Sequence, residues 1–141
     1  METEGSFEPE TAAAARERYE TLGSTAQVVV KEVAKAMEMG QEEYRERVTS
    51  EVVETARDAL FAESLTVTVG TREAFETWCD AHPDYEIREI GNANVDRVVW
   101  HAAPFAGTAV AATFQSQREA AVGTLRRQAF GEIYRAMLRE D

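Results

Sequence analysis

At Leu65 the hydrophobic period of the chain changes, and this change constrains the fold more than any other feature. Before it, Tyr44, Val48, Val52, Ala56 and Leu60 form one stripe with Val53 and Ala59 beside it. That spacing fits a helix of about 3.6 residues per turn. After it, "LTVTV" alternates, with Leu65, Val67 and Val69 on one face and Thr66 and Thr68 on the other. This is the pattern of a strand with one wet face. Helices first and strands later predict an α+β fold with helices laid on a sheet.

The remaining elements follow from local chemistry. "EPETAAAARERYETLG" predicts a helix, with Pro9 in its first turn and Gly23 as its stop. Ser24 caps a second helix, "TAQVVVKEVAKAM", with Ala26, Val30, Val33 and Met37 on one stripe. Gly40 breaks it, and a third helix is expected from Gln41 to Glu63. Beyond the first strand, Thr71 caps a short helix that points Phe75, Trp78 and Cys79 inward and ends at Pro83. "DYEIREIG" reads as a second strand and "GNAN" as a turn. "VDRVVWHAA" is apolar on both faces and so a central strand, and "PFAG" turns it into "TAVAATFQ". Ser116 caps a last helix whose wide apolar face includes Val122, Leu125, Ala129, Phe130, Ile133, Tyr134, Met137 and Leu138. Gly123 and Gly131 lie inside that helix, where each costs roughly 1 kcal/mol against alanine; close packing on another backbone would account for them. The expected architecture is an N-terminal three-helix segment followed by β-α-β-β-β-α with a mainly antiparallel four-stranded sheet. Residues 1–7 read as a disordered tail. Residues 8–141 read as one domain with a helical part, 8–63, and a sheet part, 64–141.

Charge bounds habitat and partners. The chain of 141 residues has 15 basic and 26 acidic residues, a net charge of -11, and only Lys31 and Lys35 among the bases are lysine. No apolar run is long enough to span a membrane. "METEGSFEPE" has no apolar core of the secretory-signal kind. The single cysteine, Cys79, has no internal disulfide partner. The expectation is a cytoplasmic protein. A dense acidic surface repels itself, and about 1 M salt screens that repulsion by shortening the Debye length to roughly 3 Å. From "FEPETAAAARERYETLG" through "VVETARDALF", "VDRVVWHAAPFA" and "TLRRQAFGEIYR", the chain resembles the small acidic uncharacterised proteins of haloarchaea. The resemblance implies a halophilic origin and carries no activity, cofactor or catalytic residue.

Residues 32–48, "EVAKAMEMGQEEYRERV", have the spacing of a helix-turn-helix: small Ala34, then apolar Val33, Met37, Met39, Tyr44 and Val48. The motif's glycine usually stands where this chain has Glu38. The positions that would meet DNA are Gln41, Arg45 and Arg47, but Glu42, Glu43 and Glu46 are interleaved with them. Phosphate affinity comes from cations, so so acidic a segment predicts a structural hairpin ahead of a DNA reader.

Other constellations are thin. Cys79, His82 and His101 are too few and too scattered for a structural zinc site, which wants four ligands. No metal or cofactor is expected. Alternation puts Arg97, Val99 and His101 on one face of the central strand and Trp100 on the other. No nucleophile context or phosphate loop is present, and His101 is the one candidate base. The reading is a non-catalytic module that binds a protein partner or itself. Its candidate surface is Arg97, Trp100, His101 and Phe105, with Arg126 and Arg127 on the last helix. The alternatives are a DNA-associated regulator using residues 32–48, and a small-molecule-binding or enzymatic domain around His101.

Overall fold

The computed structural model describes residues 1–139. Its elements are β1 (Glu2–Glu4), α1 (Ala12–Ala36), α2 (Gln41–Arg47), α3 (Ser50–Ser64), β2 (Val67–Thr71), α4 (Arg72–Ala81), β3 (Glu86–Ile90), β4 (Arg97–Ala103), β5 (Thr108–Phe114), α5 (Arg118–Ala129) and α6 (Arg135–Arg139). The class is α+β, as the change of period requires, but the sheet is five-stranded and mixed, in the order β1-β2-β4-β5-β3. β3 runs parallel to β5; every other pairing is antiparallel. The expected four-stranded sheet therefore needs two corrections. Strand β4 is flanked by β2 and β5, so β3 cannot form a hairpin with it and takes the free edge of β5. The fifth strand comes from the expected tail.

Residues 1–7, expected as a disordered tail, carry a paired strand and a packed aromatic residue. Glu2 and Glu4 flank Thr3 in β1, which pairs with β2, and Arg118 binds both carboxylates at 2.8 and 2.7 Å. Phe7 packs edge-on against Phe61 at 5.8 Å. The acidic spelling suggested solvation, but these acids meet the one arginine at the start of α5.

Helix α1 runs through both Gly23 and Ser24. Gly23 does not stop it. A Cβ there would lie 3.4 Å from the Arg57 guanidinium, which stacks on Tyr19 and donates from Nε to the Tyr19 carbonyl at 2.7 Å. Packing against α3 thus overrides the local cost of glycine. Conversely, the single helix expected over 41–63 is broken, because Thr49 caps α3 by accepting from the Val52 N–H. Glu38 closes α1 in the left-handed conformation (φ 56°), while the Met39 N–H reaches back to Ala34 and the Glu38 N–H to Lys35. That pair of bonds is the C-terminal cap that glycine usually serves. Thr71 caps α4 as expected, but Ser116 does not cap α5, which follows Gln117.

The sheet is covered on both faces. Val99, Ala103 and Val110 share a core with Ala15, Tyr19, Phe61, Leu125 and Tyr134 from the helices of one face. Val98, Trp100 and Ala111 pack with Phe75 of α4 on the other. Between α5 and α6 lies a π-helical turn, Phe130–Tyr134. One extra residue in that turn shifts the buried stripe from Ala129 to Phe130 and Tyr134, leaving Ile133 half-buried.

Gly123 and Gly131 do not admit a close backbone. The nearest atom to a Cβ is an Arg127 nitrogen at 3.6 Å for Gly123 and an Arg135 nitrogen at 3.9 Å for Gly131. Gly123→Ala is therefore expected to stabilise the fold by about 0.5–1 kcal/mol through helix propensity alone. Chemical denaturation of the two proteins checks this, and a destabilised variant would mean that Gly123 has a packing role.

Candidate functional site

The residues expected to make a surface on β4 are not brought together. Trp100 is 2% exposed and packs at 5.1 Å from Phe75, so it belongs to the core beside α4. His101, 1% exposed, points to the opposite face. Its Nδ1 lies 2.6 Å from the Thr66 carbonyl and its Nε2 2.7 Å from the Tyr134 hydroxyl. A carbonyl only accepts, so Nδ1 carries the proton and Nε2 accepts from Tyr134. Burial holds the ring neutral, lowering its pKa to about 4, with a smaller push from the Arg126 charge. The same burial raises the Tyr134 hydroxyl. Arg126 donates from Nε to the Leu65 carbonyl at 2.9 Å, and its side chain is 12% exposed. Phe105 leans on Tyr134 at 5.9 Å, and Arg127 is exposed on α5. Arg97 is exposed at the start of β4. These six residues thus divide between two cores and separate edges. The placement of Trp100 and His101 inside the protein corrects their reading as surface residues. Among the described residues His101 has neither an open approach nor a carboxylate partner, both of which the enzymatic alternative needs.

A different region carries exposed chemistry. α1 has 25 residues and α3 has 15, or about 37 and 22 Å at 1.5 Å per residue. The far end of α1 outruns the helix that covers it. Tyr19, Ala26 and Val33 lie seven apart on one line; the first two are 8% and 0% exposed, the third 53%. Val30 and Met37 repeat the contrast at 8% and 61%. The stripe read from the sequence is thus real, but its outer half has no partner. Val29, 38% exposed, extends it. Among the described residues, three of the seven exposed large hydrophobics, Val29, Val33 and Met37, therefore share this one stripe, which marks a contact surface more than scattered apolar residues would.

On the other side of α1, α2 lies across its end without a single buried residue. Between them is a groove of about 590 Å³ lined by Lys31, Glu32, Lys35, Met39, Tyr44 and Arg45, among others. Gln41 and Arg45 face into this groove, whereas Arg47 is outside it and paired with Glu43 at 3.5 Å. The three residues expected to meet DNA are therefore split between two sides of α2. Lys31, Lys35 and Tyr44 were missed as site residues; the one available signal was that a chain with so few lysines places both one turn apart.

Cys79 is half-buried on α4, and His82 stacks on Trp78 at 4.2 Å with Nδ1 near the Trp78 carbonyl. Among the described residues no helix is long and apolar enough to cross a membrane.

The model of a family of unknown function, DUF5809, matches residues 6–135. The chain belongs to that family. No curated protein and no solved structure matches it. The DUF5809 match encloses the whole of α1, α2 and α3, so the uncovered stripe and the groove both lie within the family region.

Proposed function

We propose that this DUF5809 member is a non-catalytic binding module that associates with a second copy of itself through the far half of α1. The observation that carries this reading is the stripe Val29, Val33 and Met37, which is exposed along the far half of α1. Its spacing is symmetric about Val33. A two-fold axis there sets Val33 against Val33 and Val29 of one copy against Met37 of the other, the self-complementary contact that a two-fold interface requires. At this crossing Glu32 falls opposite Ala34, so no like charges meet on the stripe.

Composition supports a salt-rich cytoplasm, as in a haloarchaeon, and the two fit together. Two copies of net charge -11 repel one another at low salt. Raising salt shortens the Debye length from about 10 Å at 0.1 M to about 3 Å at 1 M, while apolar burial persists. Association is therefore expected to strengthen with KCl, which sedimentation equilibrium measures directly. Val33→Asp should leave the thermal unfolding of the monomer unchanged, since Val33 is 53% exposed, and should weaken the dimer by about 2 kcal/mol or more, roughly thirtyfold. A wild type that stays monomeric in molar KCl at high protein concentration would end this reading.

The DNA-associated alternative draws less support. α2 has only seven residues, with Glu42 and Glu43 in its first turn and Arg47 already paired.

A further inference from the structure

We infer that the groove between α1 and α2 binds a small phosphorylated molecule. Both lysines of the chain, Lys31 and Lys35, line it from α1, and Arg45 lines it from α2. Among the described residues none of the three has an ion-pair partner, so their charge is open to a ligand. In a chain with 26 acids and 15 bases, a groove lined by three cations and one acid runs against the acidic excess of the whole. With Glu32 they give the lining a net charge of +2. A phosphate monoester carries about -1.5 to -2 near neutral pH, which matches that charge better than a single carboxylate does. The groove volume, about 590 Å³, falls within the roughly 300–1,000 Å³ of small-molecule sites.

The rest of the lining suits the body of such a molecule. Tyr44 offers a half-buried ring, Met39 and Ala34 apolar surface, and Gln41 an amide that both donates and accepts. Lysine ammonium groups bind phosphate as point charges, and arginine binds it through its fork. The site is independent of the association stripe. Lys31 and Lys35 each lie two residues from Val33, about 160° around the helix axis. The two surfaces also respond oppositely to salt, because screening weakens a charge-held ligand and strengthens association of acidic copies.

Isothermal titration of the full chain in about 0.1 M KCl with phenyl phosphate, inorganic phosphate and a short DNA duplex tests this. Phenyl phosphate is expected to saturate one site and to bind more tightly than inorganic phosphate, because Tyr44 and Met39 contact its ring. Lys35→Ala is expected to weaken it about tenfold and Lys31→Ala/Lys35→Ala about a hundredfold, as for one and two charge-assisted bonds. Arg16→Ala and Val33→Asp should leave it unchanged, so loss of the dimer and loss of the ligand are read separately. The inference is overturned if phenyl phosphate shows no saturation up to about 10 mM, or if the double variant binds it as the wild type does. Binding of the duplex alone would overturn it too, and would make the groove a nucleic-acid contact.

Discussion

Phe61→Ala is expected to remove about 3–5 kcal/mol of folding stability, the usual cost of truncating a buried aromatic residue. Phe61 is fully buried. Its ring meets Phe7 at 5.8 Å, Tyr19 at 6.0 Å, Phe130 at 5.7 Å and Tyr134 at 5.1 Å. These partners come from the N-terminal segment, α1 and the π-helical turn, so one side chain ties three separate parts of the chain to α3. Each such aromatic pair adds about 0.5–1.5 kcal/mol beyond its buried area. Domains of this kind have about 5–15 kcal/mol in total, so the variant should be partly unfolded at moderate temperature. Denaturant titration at fixed KCl reads the loss. A loss under about 1 kcal/mol would mean that the neighbouring rings close over the cavity, and that Phe61 is not the keystone of this cluster.

His101 should make the fold sensitive to mild acid. Its pKa is about 4 in the folded chain, against an ordinary 6.5. The folded state thus resists a proton that the unfolded state takes up. Above pH 6.5 both states hold the ring neutral, and its contribution to stability is complete. As pH falls below that value the unfolded state is favoured, and the contribution is gone once pH reaches about 4. Each pKa unit is worth about 1.4 kcal/mol, so the loss across this window is on the order of 3 kcal/mol. His101→Phe leaves the Tyr134 hydroxyl and Thr66 carbonyl without their partner, costing about 1–3 kcal/mol near neutral pH. It also removes the titration. The wild-type advantage over the variant should therefore shrink steadily between pH 6.5 and 4. Carboxylates titrate alike in both proteins and cancel in the difference. An advantage that stays constant across this window would show that His101 takes up its proton equally well in both states.

The sequence by itself determined the class of fold. The change of period at Leu65 is a backbone-level signal: helices and strands turn their side chains at different rates, and no tertiary contact is needed to read it. The same holds for the alternation of Leu65, Val67 and Val69, all buried, and for the Thr71 cap of α4. What only the tertiary structure decided is where competing contacts override local preference. Gly23 sits within a continuous helix because Arg57 fills the space beside it. Glu2 and Glu4 are ordered because Arg118, more than a hundred residues away, reaches them. β3 pairs with β5 because β4 has no free edge. The site was illegible for a related reason. Periodicity showed that Val33 and Met37 share a face with Val30 and Ala26, but it is silent on how far along α1 another helix covers that face. The length of α3 sets that limit, and Thr49 sets where α3 begins. Likewise Trp100 and His101 looked accessible because alternation gives two faces to a strand, and only the helices packed on both faces show that neither is open to solvent.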